Sequence, residues 1–409
     1  MSAVLTTEHQ RKIEWQSVTL SDVAHIVNGG TPKSNIAGYW AGGVPWLTPK
    51  DMGKMGGREI AATPRTISER GLANSSARLI PANSVILSTR APIGHLAINK
   101  VPMAFNQGCR GIVPNADLDH VYLYYFLSAH RKLLDDLGVG ATFKELSATN
   151  LRSVRLPLPP LDEQKRIVSV LDQALAALDR ARAHAEANLA DCRNLFAAAV
   201  SAVVKRESNN QQRRLRLGSI VTRLTNGYVG PISNVYVESG VPYLLARQVR
   251  DNTLVFDGRT YVTQKFNDKH KKSKLRAGDV LLVQSGHIGH SAVVPAEHEG
   301  HNCHAMIVIT PVDDVVSGSY LSALFNTPEM QDAFQNIRSG STVPHLTCKM
   351  VKELMIELPP RPVQDKIIQV IETLRARSEI AKQRYKADVA DLANLRQSLL
   401  QKAFSGQLT

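Results

Sequence analysis

The segments of this chain best suited to chemistry are short polar stretches rich in Lys, Arg, Asn, Gln, Ser and Thr, and the chemistry they suit is contact with a polyanion. Arg and Lys match guanine O6 and N7, Asn and Gln match adenine N6 and N7, and Ser and Thr reach bases or phosphates. In the first half the candidate contacts are Thr31, Lys33 and Ser34, then Lys50 and Asp51, then Ser88, Thr89 and Arg90. Lys144, just after a Gly140-Ala-Thr turn, suits a phosphate. Matching stretches of the second half offer Thr225, Asn226 and Tyr228, then Arg247, Gln248 and Arg250, then Gln284, Ser285 and His287. Lys269, Lys271 and Lys272 belong to a cationic run that would position a phosphate backbone.

Bond-making constellations are missing. Gly53-Lys54 is followed by Met55 and lacks the upstream glycine of a nucleotide-binding loop. No Gly-rich dinucleotide or methyl-donor loop opens a helix. Both Pro-Pro pairs follow a leucine, Leu158 or Leu358, rather than the Asp or Asn of an amino-methyltransferase motif. His298, His301, Cys303 and His304 have metal-like spacing, but the corresponding stretch around Asn106, FNQGCRG, carries no ligand set. No catalytic residue, cofactor or metal is expected.

A duplication positions the candidate contacts. GVPWL at 43–47 returns as GVPYL at 240–244, and IPANSVILSTRAPIG at 80–94 returns as LRAGDVLLVQSGHIG at 275–289. Gly140-Ala-Thr returns as Gly340-Ser-Thr, and LPPLDEQKRIVSVLD at 158–172 as LPPRPVQDKIIQVIE at 358–372. Four blocks in one order mark a duplicated domain rather than a solenoid. Within each copy, Val85-Ile86-Leu87 and Val280-Leu281-Leu282-Val283 read as buried strands. Helical patches follow over 121–137 and 319–337, and the Pro-Pro pair ends each globular head.

Each Pro-Pro pair opens a helix of about 40 residues, roughly 60 Å at 1.5 Å per residue. Steps of four and three pick out an apolar seam through Ile167, Leu171, Leu178 and Leu195 in the first. The second seam runs through Ile367, Ile371, Leu374 and Leu395. This is coiled-coil periodicity, and chain order favours antiparallel packing of the two helices. Asn188 and Asp388 fall at equivalent seam positions, where they either fix register or open the seam. The expected architecture is α+β: two α/β recognition domains at 1–155 and 206–355, with a central spacer helix at 156–205 and a C-terminal spacer helix at 356–409.

Charge separates the parts. The 409 residues carry 49 Lys+Arg against 36 Asp+Glu, a formal net charge of +13. Residues 1–155 have 17 against 11 and residues 206–355 have 17 against 13, so ten of the thirteen excess charges lie on the heads. The central spacer is neutral and the C-terminal one carries the remaining three charges, so basic heads on a spacer suggest two contacts on one duplex, with the helices setting the distance between them. The 4 cysteines show no CxxC spacing and are expected to be reduced. No signal-peptide core or membrane-length apolar run appears, so a cytoplasmic protein is expected.

The layout resembles the specificity subunits of type I restriction–modification systems over essentially the whole chain. NGGTPKS at 28–34, GATFKELSATNLRSVRLPLPPLDEQKRIV at 140–168, the echo SGSTVPHLTCKMVKELMIELPPRPVQDKII at 339–368, and LRQSLLQKAFSGQL at 395–408 carry the resemblance. It implies a non-catalytic subunit whose two target-recognition domains each read part of a bipartite site on double-stranded DNA. Its helices would set the gap and dock two modification subunits, methyltransferases acting on adenine N6. Restriction/translocase subunits would join them, and no membrane would be involved. The alternatives are a specificity subunit of a methylation-only complex and a coiled-coil adaptor for proteins. The second head departs from the pattern, with LTNGYVGPISN at 224–234 in place of the GGTP opening and PPRPVQ in place of PPLDEQ.

Overall fold

The apolar runs Val85–Ser88 and Val280–Val283 become fully buried inner strands of two corresponding antiparallel sheets. In the computed structural model, residues 15–90, 92–140, 144–208, 212–232, 235–250, 252–339 and 344–408 are described. Most of the paired turns Gly140-Ala141-Thr142 and Gly340-Ser341-Thr342 therefore lies outside the described residues. The first sheet orders Ala24–Asn28, Cys109–Pro114, Val85–Ser88 and Leu96–Asn99, and ends on the short parallel strand Glu59–Ile60. The second orders Val221–Asn226, Met306–Pro311, Val280–Val283 and Ser291–Val293. The registers agree as well as the orders. Val85 faces Ile112 as Val280 faces Ile309, and Leu87 faces Leu96 as Leu282 faces Ser291.

Beside each main sheet lies a smaller one with the same parallel pair. Trp46 and Leu47 run alongside Ala104 and Phe105, as Tyr243 and Leu244 run alongside Asn302 and Cys303. The Ile-Gly that ends the second repeated block closes a turn in both copies. Gly94 has φ +101° and Gly289 has φ +91°, left-handed values that favour glycine. Their amides donate to Ser88 O at 3.1 Å and Val283 O at 3.0 Å. Each predicted helical patch divides in two: His120–Ala129 and Arg131–Asp136, then Gly318–Phe325 and Pro328–Ile337. Asp119 and Ser317 cap the leading helices.

The long helices span Leu161–Ser208 and Arg361–Phe404. The chain divides into two compact units, Met1–His184 with Asp388–Thr409 and Ala185–Ala387, so each helix contributes to both. In the first unit, Ile167, Leu171, Leu175, Leu400, Ala403 and Phe404 join the core of the head. In the second unit, Val200, Val203, Val204, Ile367 and Ile371 do the same. Within the second unit, Glu207 pairs with Lys366 at 2.7 Å and the Arg375 guanidinium lies 5.9 Å from the Phe196 ring. One numbering falls as the other rises, so the helix segments there are antiparallel.

The seam residues nearest the heads are buried, and later ones are not. Ile167, Leu171, Ile367 and Ile371 are buried, and Leu178 and Leu374 are half-buried against them. Leu195 and Leu395, however, are 68% and 48% exposed. Val200 and Leu400 are buried instead, with Phe196 and Arg396 half-buried. A straight helix has 3.6 residues per turn, so a strict heptad drifts about 20° each repeat; here the drift is absorbed by a step of four at the same place in both copies. Asn188 is exposed and Asp388 half-buried.

Candidate nucleic-acid interface

In the first unit, the turn Phe105–Gly108 gathers the predicted contact loops. Gly30 N donates to Phe105 O at 2.9 Å, and Asn106 N donates to Leu47 O at 2.8 Å. Thr89 N donates to Gly108 O at 2.8 Å, and Leu146 N donates to Thr89 O at 2.8 Å. Asn106 is the hub. Its Nδ2 donates to Thr31 Oγ1 at 2.9 Å, and its Oδ1 accepts from Gly108 N at 2.8 Å. Gly108 itself sits between two of the loops, because a Cβ there would lie 3.6 Å from both the Arg90 and Pro49 side chains. In FNQGCRG, which lacks a metal-ligand set, the Asn-x-Gly spacing is the sequence signal for this tight turn.

The predicted residues divide by what they touch. Lys33, Ser34 and Lys50 are exposed, and the two lysines have no ion-pair partner among the described residues. Arg90 is exposed but pairs with Glu145 at 3.0 Å, and Arg110 reaches the same carboxylate at 3.5 Å. Burial lowers the Arg110 pKa, with Glu145 acting the other way. Lys144 pairs with Asp135 at 2.6 Å.

Three expectations in this head are corrected. Ser88 and Thr89 are 0% exposed. The Ser88 hydroxyl donates to Pro92 O and accepts from His95 N, both at 2.8 Å, while Thr89 Oγ1 donates to Gly108 O at 3.2 Å. Asp51 Oδ2 accepts from Thr48 N at 3.1 Å and Thr48 Oγ1 at 2.6 Å, closing the capping box of the helix Pro49–Met52. Ser88 and Thr89 thus shape their loop from within, and the half-buried Asp51 caps a helix.

In the second unit the same framework carries different side chains. Gly227 N donates to Met306 O at 2.7 Å, Tyr228 N to Cys303 O at 2.9 Å, and His304 N to Leu244 O at 2.8 Å. Asn226-Gly227-Tyr228 therefore occupies the place of Asn28-Gly29-Gly30, and the opening that departs from GGTP keeps the same backbone path. The half-buried Tyr228 ring meets Phe266 at 5.1 Å and His270 at 4.6 Å. Lys269, Lys271 and Lys272, next to His270 in sequence, are exposed without ion pairs among the described residues. His287 is exposed; Gln284 and Ser285 are half-buried, with Ser285 bridged to His345.

Arg247 occupies the place of Lys50 and is exposed, pairing with Asp257 at 3.2 Å. Gln248 is corrected like Asp51: it is 4% exposed, and its Oε1 caps Leu245 N at 2.9 Å. Arg250 is half-buried and donates to Val249 O at 3.1 Å. Thr225 is half-buried within its strand, and Asn226 at the strand end accepts from Cys348 Sγ at 3.2 Å. Equivalent backbone positions thus present Lys50 or Arg247, Arg90 or Ser285, and Glu145 or His345.

The histidine stretch has its own geometry. His298 Nδ1 and His301 Nδ1 lie 3.2 Å apart, and burial lowers both pKa values. Among the described residues no three His, Cys, Asp or Glu side chains converge as metal ligands. All four cysteines are free, and burial pushes the Cys109 and Cys303 thiols up to about 12. No helix among the described residues is long and apolar enough to cross a membrane.

Residues 12–186 and 216–387 each match the family described as type I restriction modification DNA specificity domain. The chain is 25% identical to the type I restriction enzyme MjaIX specificity subunit of Methanocaldococcus jannaschii, across 97% of this chain and 94% of that one. It is 31% identical to the EcoR124I/EcoR124II specificity subunit of Escherichia coli over 40% of this chain and 41% of that one. Its fold is similar to a chain solved in work on assembly and conformational transition of the type I R-M system, with TM-score 0.74, 19% identity, and coverage of 96% and 98%. The HsdS subunit from Thermoanaerobacter tengcongensis superposes with TM-score 0.57 at 18% identity, covering 98% of this chain and 99% of that one.

Proposed function

Because the chain belongs to the type I restriction–modification DNA specificity family, we propose that it is a non-catalytic subunit that selects the DNA sequence on which partner enzymes act. Each head reads one half of a bipartite duplex site. The 1–155 and 206–355 segments serve as recognition domains, and the intervening and C-terminal helices as spacers. The helices set the gap and dock two modification subunits that methylate adenine at N6, and restriction/translocase subunits complete the assembly in the cytoplasm. The chain itself needs no cofactor.

The observation that carries this reading is the pairing of constant framework with divergent loop tips. Strand orders and registers repeat between the heads, whereas two of the three matched loop positions, Arg90 or Ser285 and Glu145 or His345, differ in charge and hydrogen-bonding type. A structural adaptor would have no reason to vary those tips in the currency of base edges, donors and acceptors. Lys33, Lys50, Lys269, Lys271 and Lys272 supply sequence-independent attraction to phosphate.

The test is binding of the chain, together with its modification subunits, to duplex DNA over a range of salt. Logarithmic affinity is expected to fall linearly with logarithmic salt, and replacing Lys271 and Lys272 by Ala should reduce the slope by about 2 if each meets a phosphate. Binding that is absent or insensitive to salt favours the adaptor.

A further inference from the structure

Two tryptophans hold the loop that opens the first head, and one arginine rests on both. The Trp46 indole, 2% exposed, donates to Gly30 O at 2.9 Å, and the Trp40 indole donates to Lys33 O at 3.2 Å. The rings meet edge to face, with centroids 5.2 Å apart and an interplanar angle of 85°. The Arg65 guanidinium carbon lies 4.2 Å from the Trp40 centroid and 4.7 Å from that of Trp46. Arg65 is exposed and has no carboxylate partner among the described residues, unlike Arg90 and Arg110, which share Glu145. With Ser34, Trp40, Ala41, Pro64 and Thr66 it lines a recess of about 440 Å³.

The second head keeps the aromatic pair and changes what lies beside it. Tyr236 and Tyr243 stand 6.2 Å apart where Trp40 and Trp46 stand, because both Trp40 and Tyr236 pair with the strand that follows. Trp46 N donates to Arg65 O at 3.2 Å, and Tyr243 N donates to Thr260 O at 3.0 Å, so Thr260 holds the place of Arg65. Thr260 is 6% exposed and turns its hydroxyl inward to Tyr243 O. The position itself therefore carries an exposed cation in one head and a buried hydroxyl in the other.

We propose that Arg65 reads a guanine in the half-site of the first head. Contact with two indoles restrains a flexible side chain in advance of binding, and the exposed guanidinium retains its N–H edge for a ligand. That edge matches O6 and N7 of guanine, donating two parallel hydrogen bonds in the major groove. Trp40 and Trp46 act as positioning residues, and Ser34 shares the recess. The proposal rests on the DNA-recognition function argued above.

The test compares complexes of the full chain with its modification subunits, carrying Arg65, Arg65→Ala or Arg65→Lys. The methylated motif is sequenced, and affinities are measured for duplexes in which each base of the first half-site is replaced in turn. Arg65→Ala is expected to weaken the cognate duplex about ten- to hundred-fold and to erase a guanine preference at one position. The second half-site and the salt slope stay unchanged, and Arg65→Lys, lacking the planar fork, restores binding only in part. If Arg65→Ala keeps every base preference, the assignment is wrong. It is equally overturned by a uniform loss across all duplexes with a salt slope smaller by about one, the mark of a phosphate contact. Loss of both half-sites with a lower melting temperature overturns it in favour of a structural role. A wild-type complex that methylates no defined sequence refutes instead the recognition function on which the assignment rests.

Discussion

At the scale of single residues, the heads are built from buried polar anchors whose partners are backbone. Gln164 is 0% exposed; its Nε2 donates to Asp117 O at 2.8 Å and Pro159 O at 2.9 Å, and its Oε1 accepts from Asp119 N at 2.8 Å. Gln364 repeats all three bonds with Val315 O, Pro359 O and Ser317 N. Each glutamine ties the start of a long helix to the N-terminus of the head's main helix. Gln164→Leu should destabilise the protein by about 2–4 kcal/mol, because it strands several buried backbone groups, and urea unfolding measures this. This also resolves the PPLDEQ and PPRPVQ difference: the shared Gln does the structural work, and the changed residues lie mostly on the solvent side. At this scale the contact residues were legible by type but not by exposure. Ser88, Thr89, Asp51 and Gln248 have the same chemistry as a base reader; tertiary packing turns Ser88 and Thr89 inward, while Asp51 and Gln248 bond the residue three places upstream. Arg65 was missed because its significance comes from Trp40 and Trp46, which lie about 20 residues upstream in sequence.

At the scale of elements, the first long helix is fastened to its head by charge as well as by apolar packing. Arg58 donates to both oxygens of Asp172, with Nη2 to Oδ2 at 3.0 Å, and the Tyr125 hydroxyl donates to the same carboxylate. Burial tends to raise the Asp172 pKa, but the bonds from Arg58 and Tyr125 outweigh it and the pKa is lowered. A carboxylate with a lowered folded pKa contributes stability above its unfolded value, near 4, and that contribution is lost as pH falls through the folded value. Asp172→Ala is expected to cost about 1 kcal/mol at neutral pH, a modest figure because solvent reaches the pair, and the difference from wild type should shrink as pH falls below about 4 and the carboxylate protonates. Urea titrations at several pH values check this; a gap that persists in acid would mean that the loss is one of packing alone. The helices themselves were legible because their apolar residues recur over many turns. Their seam was not legible beyond Cys192 and Leu392, since sequence periodicity alone does not say where a straight helix takes up its drift. The divided helices after His120 and Gly318 were legible as patches; the break at His130 carries no Gly or Pro to announce it, whereas the one at Asn326 is marked by Thr327-Pro328, an N-cap with proline in the first turn.

For the whole molecule, the duplication is what sequence revealed most completely, because it preserves blocks that build turns, strands and helix starts. The loops between those blocks diverged, and with them the information about which bases are read. Helices of 48 and 44 residues, about 72 and 66 Å at about 1.5 Å per residue, are the proposed measure of the gap between half-sites. Inserting seven residues at matching places in both helices adds about 10 Å, so the preferred gap should lengthen by about three base pairs without changing either half-site. A gap indifferent to helix length would assign the spacing to the partner subunits. The most direct measurement of the central claim is sequencing of methylated bases in DNA from cells that carry this chain with its modification subunits. The account predicts adenine methylation at a bipartite motif, with two different halves separated by a fixed number of unread base pairs. A continuous motif, or two halves at variable separation, would contradict it.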